Sequence, residues 1–165
     1  MRHAGLIVVV AAGLATAACG GLVPEGPSNQ DIADTTGLTV AEAVPLVADN
    51  FERVWPEPVT VEDGAVRLGN GCRTDRDSLQ STGPPWAPSY EREIADPPAE
   101  FVDSALAKLA GMTAHGFVLA ESPIPGDDPV NRVYRDSRGF SVAALRYGSA
   151  PTRFVLRSSA PCAAE

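Results

Sequence analysis

The chain has 165 residues, of which 44% are hydrophobic and 21% are charged, and its formal net charge is −8. These values fit one globular domain with an attached segment, long enough to bury a sizeable core, so disorder is not the default expectation. They also argue against nucleic acid as a partner, because non-specific binding to a phosphate backbone needs a basic surface.

The first 18 residues have the organisation of a secretion signal. Arg2 and His3 form a short polar start, and an apolar run from Ala4 to Ala15 follows. This run is too short for a stable membrane-spanning helix, which needs about 20 apolar residues. We therefore expect residues 1–18 to direct export and then to be removed.

Small residues precede the first cysteine, since Thr16-Ala17-Ala18 leads directly into Cys19. This pattern resembles the lipobox of bacterial lipoproteins, although Leu is commoner than Thr at the position of Thr16. The resemblance implies that Cys19 receives a diacylglyceryl group and becomes the new N-terminus. The partner would then be the cell membrane, held through lipid on its extracytoplasmic face. The alternative is an ordinary signal peptide cut elsewhere, with Cys19 as an incidental thiol.

The three cysteines at positions 19, 72 and 162 can be assigned by counting. With Cys19 assigned to the lipid, Cys72 and Cys162 remain as an even pair in a compartment that permits disulfides. We expect them to form a structural bridge that closes a loop of about 90 residues. A redox or metal site is the alternative, but the sequence has no C-x-x-C motif and no His/Cys cluster, so no metal and no cofactor are expected.

Residues 20–37 are rich in Gly, Pro, Ser, Asn and Asp, a composition typical of a solvated tether. The expected organisation is a signal peptide over 1–18, a lipidated cysteine with a flexible tether over 19–37, and one domain over 38–165.

The first predicted helix follows the tether. Thr39-Val-Ala-Glu42 fits a capping box, and apolar residues then recur at helical spacing up to Trp55. Pro45 interrupts this pattern, because proline inside a helix removes one hydrogen bond. We expect a kink there, or a helix that starts near 43–44.

The residues after this helix show a hairpin pattern, which is followed by a Pro-rich cluster. Asp63-Gly64 lies between residues 59–62 and 65–68, a pattern that predicts a two-residue β-hairpin. Residues 83–88 form a Pro-rich breaker cluster around Trp86. Alternation from residue 90 to 94 indicates a short strand.

The second helix is predicted to open at Asp96, with Asp as its cap, and to stop at Gly116. Three or four strands follow, at residues 117–120, 130–135, 140–146 and 152–158. Their connections are too short for parallel crossovers, so they predict an antiparallel meander. The expected fold class is α+β, with two helices packed on one face of an antiparallel sheet and stapled by one disulfide.

This order of lipobox, tether, helix, Cys72, second helix, meander and a closing Cys162 resembles the small exported lipoproteins of actinobacteria, including the LppA-like group of mycobacteria. The resemblance is one of layout and not of a specific motif. It implies an anchored α+β domain outside the membrane and no defined activity.

Few residues are candidates for a catalytic or metal-binding role. His115 is the only histidine after the signal, so a Ser-His-Asp hydrolase would have to use it, but no G-x-S-x-G motif is present. The carboxylates at Asp75/Asp77 and Asp127/Asp128 lack the spacing of a calcium loop. Catalytic residues are therefore not assigned.

Trp86 and Tyr90 are the candidate binding surface, because exposed aromatic residues on a loop bind sugars or protein partners, and core packing is the alternative. We expect a non-enzymatic, membrane-tethered module that binds an envelope protein or ligand. The alternatives are an envelope hydrolase that uses His115 and a purely structural envelope component.

Overall fold

The computed structural model describes residues 25–120 and 128–165, so the signal peptide, Cys19 and Asp127 lie outside the described residues. The helices are α1 (Asn29–Thr36), α2 (Val40–Val54) and α3 (Ala99–Gly111). The strands are β1 (Arg67–Thr74), β2 (Ser81–Ala95), β3 (Val118–Ala120), β4 (Arg132–Arg135), β5 (Ser141–Tyr147) and β6 (Arg153–Ser159). None of the described helices is long and apolar enough to cross a bilayer.

The six strands form one antiparallel sheet in the order β1-β2-β6-β5-β4-β3. The predicted meander is β3 to β6, where each strand pairs with the next along the chain. β6 then pairs with β2, with Ser89 opposite Ser159 and Ala95 opposite Arg153. The predicted α+β class, the antiparallel sheet and the disulfide are confirmed.

α2 begins where its capping box predicts. The Thr39 hydroxyl accepts a hydrogen bond from the Glu42 amide at 3.3 Å, and the Glu42 carboxylate accepts one from the Thr39 amide at 3.0 Å. Pro45 lies inside the helix without delaying its start, so the expected start near 43–44 is wrong. Its missing N–H would have bonded to the carbonyl of Ala41, which is exposed and can be hydrated.

The core lies between the helices and one face of the sheet. Phe51 of α2, Leu109 of α3 and Phe154 of β6 are completely buried there. The Phe51 ring stacks on Trp55 at 5.3 Å and meets Tyr90 edge-on at 4.6 Å. Each fully buried side chain of this size contributes roughly 1.5–3 kcal/mol, so this layer supplies most of the driving force for folding.

The predicted hairpin around Asp63-Gly64 is wrong. Asp63–Ala65 is a single turn of 3₁₀ helix, and residues 59–62 form no strand. The Val61 amide donates a hydrogen bond to the Glu52 carboxylate at 2.7 Å. This bond attaches the segment to α2 instead of to a neighbouring strand. β1 pairs with β2, so the hairpin that forms is longer and later in the chain.

The Pro-rich residues 83–88, predicted to break the structure, lie within the 15-residue strand β2. The register of β1 with β2 shifts between Gly71 and Arg73, and residues 83–85 have no partner in that ladder. Pro84 and Pro85 therefore occupy positions where no backbone N–H is needed. Local composition cannot reveal such a register shift.

α3 starts at Ala99 and lacks the predicted Asp cap. The Asp96 carboxylate instead accepts a hydrogen bond from the Thr152 amide at 2.7 Å, at the start of β6. The predicted stop at Gly116 is confirmed, since this residue ends a short 3₁₀ turn with φ 83°.

The flexible tether predicted for residues 19–37 is wrong over its second half. Residues 29–36 form α1, whose capping box joins Ser28 and Asp31 and whose Ile32 is buried. Gly37 ends this helix in the left-handed region, with φ 63°. The segment is polar because α1 is mostly exposed and buries only one apolar side chain. Composition alone does not distinguish such a helix from a solvated tether.

The C-terminal segment, residues 160–165, joins the two ends of the domain. The Cys72–Cys162 disulfide attaches it to β1, with the Cα atoms 6.0 Å apart. Its backbone exchanges hydrogen bonds with Trp86 of β2, at 3.0 and 2.8 Å. On its other side Ala164 bonds to Leu38 and Val40, both at 2.8 Å. We call these contacts the terminal clamp.

Replacing both cysteines, Cys72→Ser with Cys162→Ser, is expected to lower the free energy of unfolding by about 4–5 kcal/mol. The bridge closes a separation of 90 residues, and the loss follows from the loop-closure entropy returned to the unfolded chain. Urea denaturation of the unlipidated domain measures the change. The control is the intact mass of the unsubstituted domain, which should be two hydrogens below the reduced mass. A loss under about 1 kcal/mol would contradict this account of the bridge.

Candidate functional site on the outer face of the sheet

The core helices α2 and α3 pack on one face of the sheet. Phe154, Leu156 and Ser158 of β6 are completely buried on the helix side. Because side chains alternate along a strand, Arg157 and Ser159 lie on the other side. We call that side the outer face. It also carries Arg67, Ser89, Glu91, Glu93, Val133, Arg135, Ser141, Ala143, Leu145, Tyr147, Arg153 and Val155.

A row of hydroxyls crosses the outer face. Ser89, Ser159 and Ser141 lie opposite one another on β2, β6 and β5. Arg67 on β1 and Arg135 on β4 continue the row at its two ends. With about 4.8 Å between strands, the five positions span about 19 Å. We call this the arginine–serine row.

A depression of about 490 Å³ opens at the β1 end of this row. It is lined by Ala65, Arg67, Gly69, Ser89, Tyr90, Glu91 and Arg157. The β1–β2 register shifts between Arg67 and Asn70, so that β1 carries one extra residue there. Gly69 lies in this irregular stretch, and a Cβ atom on it would meet nothing within 4 Å. The register shift and the missing side chain together leave space beside the strand.

The charges in the depression are only loosely paired. The Arg157 Nε atom is 4.0 Å from the Glu91 carboxylate and 3.1 Å from the Ser159 hydroxyl. The two charged side chains are 37% and 51% exposed, so this ion pair contributes little. Arg67 forms no salt bridge with any described residue. Two guanidinium groups therefore face one carboxylate, in a protein whose net charge is −8.

The opposite end of the outer face is paired internally. The Glu93 carboxylate accepts hydrogen bonds from the Tyr147 hydroxyl and the Arg153 guanidinium. The hydrogen bond from Tyr147, with the charge of Arg153, holds the pKa of Glu93 below its usual value. The same hydrogen bond raises the pKa of Tyr147. These groups satisfy one another, whereas Arg67 and Arg135 form no salt bridge with any described residue.

The predicted aromatic pair occupies different surroundings. Tyr90 packs against the core through Phe51, its hydroxyl accepts a hydrogen bond from Arg92 at 2.7 Å, and it also contributes to the lining of the depression. Trp86 is half-buried beside the C-terminus, with its Nε1 atom 3.5 Å from the Glu165 carboxylate. The two rings therefore form no continuous exposed platform.

The other predicted polar residues have structural contacts. His115 is exposed, and both of its ring nitrogens lie 3.4 Å from Nη1 of Arg53. The Asp75 carboxylate accepts hydrogen bonds within its own turn, chiefly from Ser78, and these lower its pKa. Asp128 accepts two hydrogen bonds from Arg146, both at 2.8 Å, and its pKa is likewise lowered.

No group of three His, Cys, Asp or Glu side chains within residues 25–120 and 128–165 is arranged to hold a metal ion. The charged side chains that line the depression are the guanidinium groups of Arg67 and Arg157 and the carboxylate of Glu91, so cationic donors outnumber the single anion, and the Ser89 hydroxyl lies beside them. What this arrangement can do chemically is to bind an anion.

Comparison with protein-family models, with curated proteins and with solved structures finds no match to the chain. The resemblance to small actinobacterial lipoproteins therefore stays a prediction from the sequence.

Proposed function

We propose that the protein is a lipid-anchored, non-enzymatic module of the bacterial cell envelope that binds an extended anionic ligand on its outer face. The observation that carries this proposal is that two guanidinium groups line one depression. Arg157 is only loosely paired with Glu91, and Arg67, at one end of the arginine–serine row, forms no salt bridge with any described residue. A planar guanidinium binds carboxylate and phosphate groups through two parallel hydrogen bonds.

The length of the row supports an extended ligand. Arg135 lies about 19 Å from Arg67 across the sheet, and three serine hydroxyls lie between them. A polymer with regularly placed anionic groups could bind the arginines at intervals and the hydroxyls between them. Carboxylated glycans and phosphodiester polymers share this chemistry.

The position of the depression supports exposure to such a ligand. It lies at the Arg67 end of β1, whereas Glu25, the first described residue, bonds to Thr74 at the other end of that strand. The seven residue steps between Arg67 and Thr74 correspond to about 23 Å. If Cys19 carries lipid, the depression lies on the part of the domain farther from the membrane.

Arg67→Gln and Arg157→Gln are each expected to weaken binding of an anionic polymer roughly tenfold. Each removes one charge-assisted contact, and 1.4 kcal/mol corresponds to a factor of ten in affinity. Titration of the unlipidated domain with polyphosphate and with polygalacturonate measures the effect and separates phosphate from carboxylate as the preferred group. Arg53→Gln is the matched control, because Arg53 is an exposed arginine on α2 that lines a different groove.

Binding in the unsubstituted domain should also weaken as salt increases, since exposed charges are screened. Two results would contradict the proposal. One is binding that Arg53→Gln weakens as much as the two outer-face substitutions do. The other is no binding of either polymer by the unsubstituted domain, which would favour a purely structural envelope component.

Cys19→Ala is expected to move the full-length protein from the membrane fraction to the soluble exported fraction. The substitution removes the thiol that would carry the diacylglyceryl group, and the acyl chains provide the anchor. Fractionation with metabolic labelling by a radioactive fatty acid measures both effects. Persistent membrane association of the labelled Cys19→Ala variant would show that lipid is attached elsewhere.

A further inference from the structure

The turn between β1 and β2 exposes a leucine. Residues 75–80, which we call the hairpin tip, present Leu79 with 63% of its surface exposed. Its φ of 57° lies in the left-handed region that glycine adopts without cost and that leucine rarely adopts. Such a conformation persists only where the surroundings enforce it.

The hairpin tip enforces it through a closed hydrogen-bond network. The Leu79 amide donates to the Asp75 carbonyl at 2.8 Å, and the Asp75 amide donates to the Gln80 carbonyl at 2.9 Å. The Asp75 carboxylate accepts from the amides of Asp77 and Ser78. The hydrogen bonds of this turn therefore hold the Leu79 side chain in its exposed position.

The chain enters the domain beside this tip. The Glu25 carbonyl accepts a hydrogen bond from Thr74 at 2.8 Å, and its carboxylate lies 2.7 Å from Arg73 and 3.6 Å from Arg76. Gly26 packs so closely that a Cβ atom would lie 2.4 Å from the Cys72 carbonyl oxygen. The start of the described chain is thus fixed to the tip end of β1.

The distance from this point to the lipid is short. Six residue steps separate Cys19 from Glu25, and a fully extended chain of that length covers at most about 21 Å. A lipid on Cys19 would therefore hold Glu25 within that distance of the bilayer, whatever the conformation of the intervening residues, and the hairpin tip contacts Glu25 through Arg76.

We propose that the hairpin tip lies against the phospholipid surface, with the Leu79 side chain inserted between the headgroups and the acyl chains. This rests on the lipid anchor of the proposed function. The lipid anchor supplies a high local concentration of the domain at the bilayer. One apolar side chain is therefore enough to orient the domain, because it does not have to provide the affinity for the membrane.

Charge does not drive this contact. Around the tip, the cations Arg73 and Arg76 are outnumbered by the anions Glu25, Asp75 and Asp77. An anionic bilayer would therefore gain nothing over a zwitterionic one. The contact is expected in vesicles of phosphatidylcholine alone, which separates lipid insertion from headgroup attraction.

The test places an environment-sensitive fluorophore at position 79 of the full-length, lipidated protein through Leu79→Cys. Cys72 and Cys162 are bridged, and a lipidated Cys19 has no free thiol, so the label goes to one site. Leu119→Cys is the matched control, because Leu119 is 62% exposed on β3, at the opposite edge of the sheet from β1. Intact mass after labelling shows that the bridge is present in both.

In phosphatidylcholine vesicles, the emission of the label at position 79 is expected to shift to shorter wavelength and to be quenched by brominated acyl chains. The label at position 119 is expected to show neither change. Equal emission at the two positions, in protein that floats with the vesicles, overturns the proposal and leaves the anchor intact. Protein that does not float shows instead that the anchor has failed, and the tip contact fails with it.

Discussion

The terminal clamp is the constraint on which the rest of the structure depends. Proline at positions 84, 85 and 88 deprives the first half of β2 of backbone donors, and the β1–β2 register shifts twice along that stretch. The C-terminal segment compensates by pairing with Trp86 and by attaching covalently to Cys72. The same segment binds the residues that precede α2, so one short stretch holds the sheet edge, the first helices and the C-terminus together.

This arrangement separates the two ends of the β1–β2 pair. The hairpin tip lies next to Glu25, the first described residue, and the depression with Arg67 lies at the far end. If Cys19 carries lipid as proposed, this strand pair would have the anchor near one end and the depression at the other. Under that proposal, the clamp would help to give the outer face a defined orientation relative to the membrane.

Local patterns in the sequence predict the elements that depend on local physics. The capping box at Thr39, the stop at Gly116 and the meander strands follow from side chains close together in the chain, and the disulfide follows from counting. Alternation predicts the second half of β2, over residues 90–94, but its Pro-rich first half and the arginine–serine row are not predictable in this way. Arg67 and Arg157 line one depression only because β6 pairs with β2 as well as with β5, and strand order is a property of the whole fold. The tether predicted for residues 19–37 is wrong from residue 25 onward, because contacts with Arg73, Thr74 and Glu165 hold this part in place.

Amide hydrogen exchange of the oxidised and reduced domain tests the central role of the clamp most directly. The amides of Val40, Trp86, Ala163 and Ala164 donate the clamp hydrogen bonds, and those of Ala144 and Leu156 lie in the paired strands β5 and β6. Reduction is expected to accelerate exchange at the clamp amides by a larger factor than in β5 and β6. Equal protection of the clamp amides before and after reduction would contradict it.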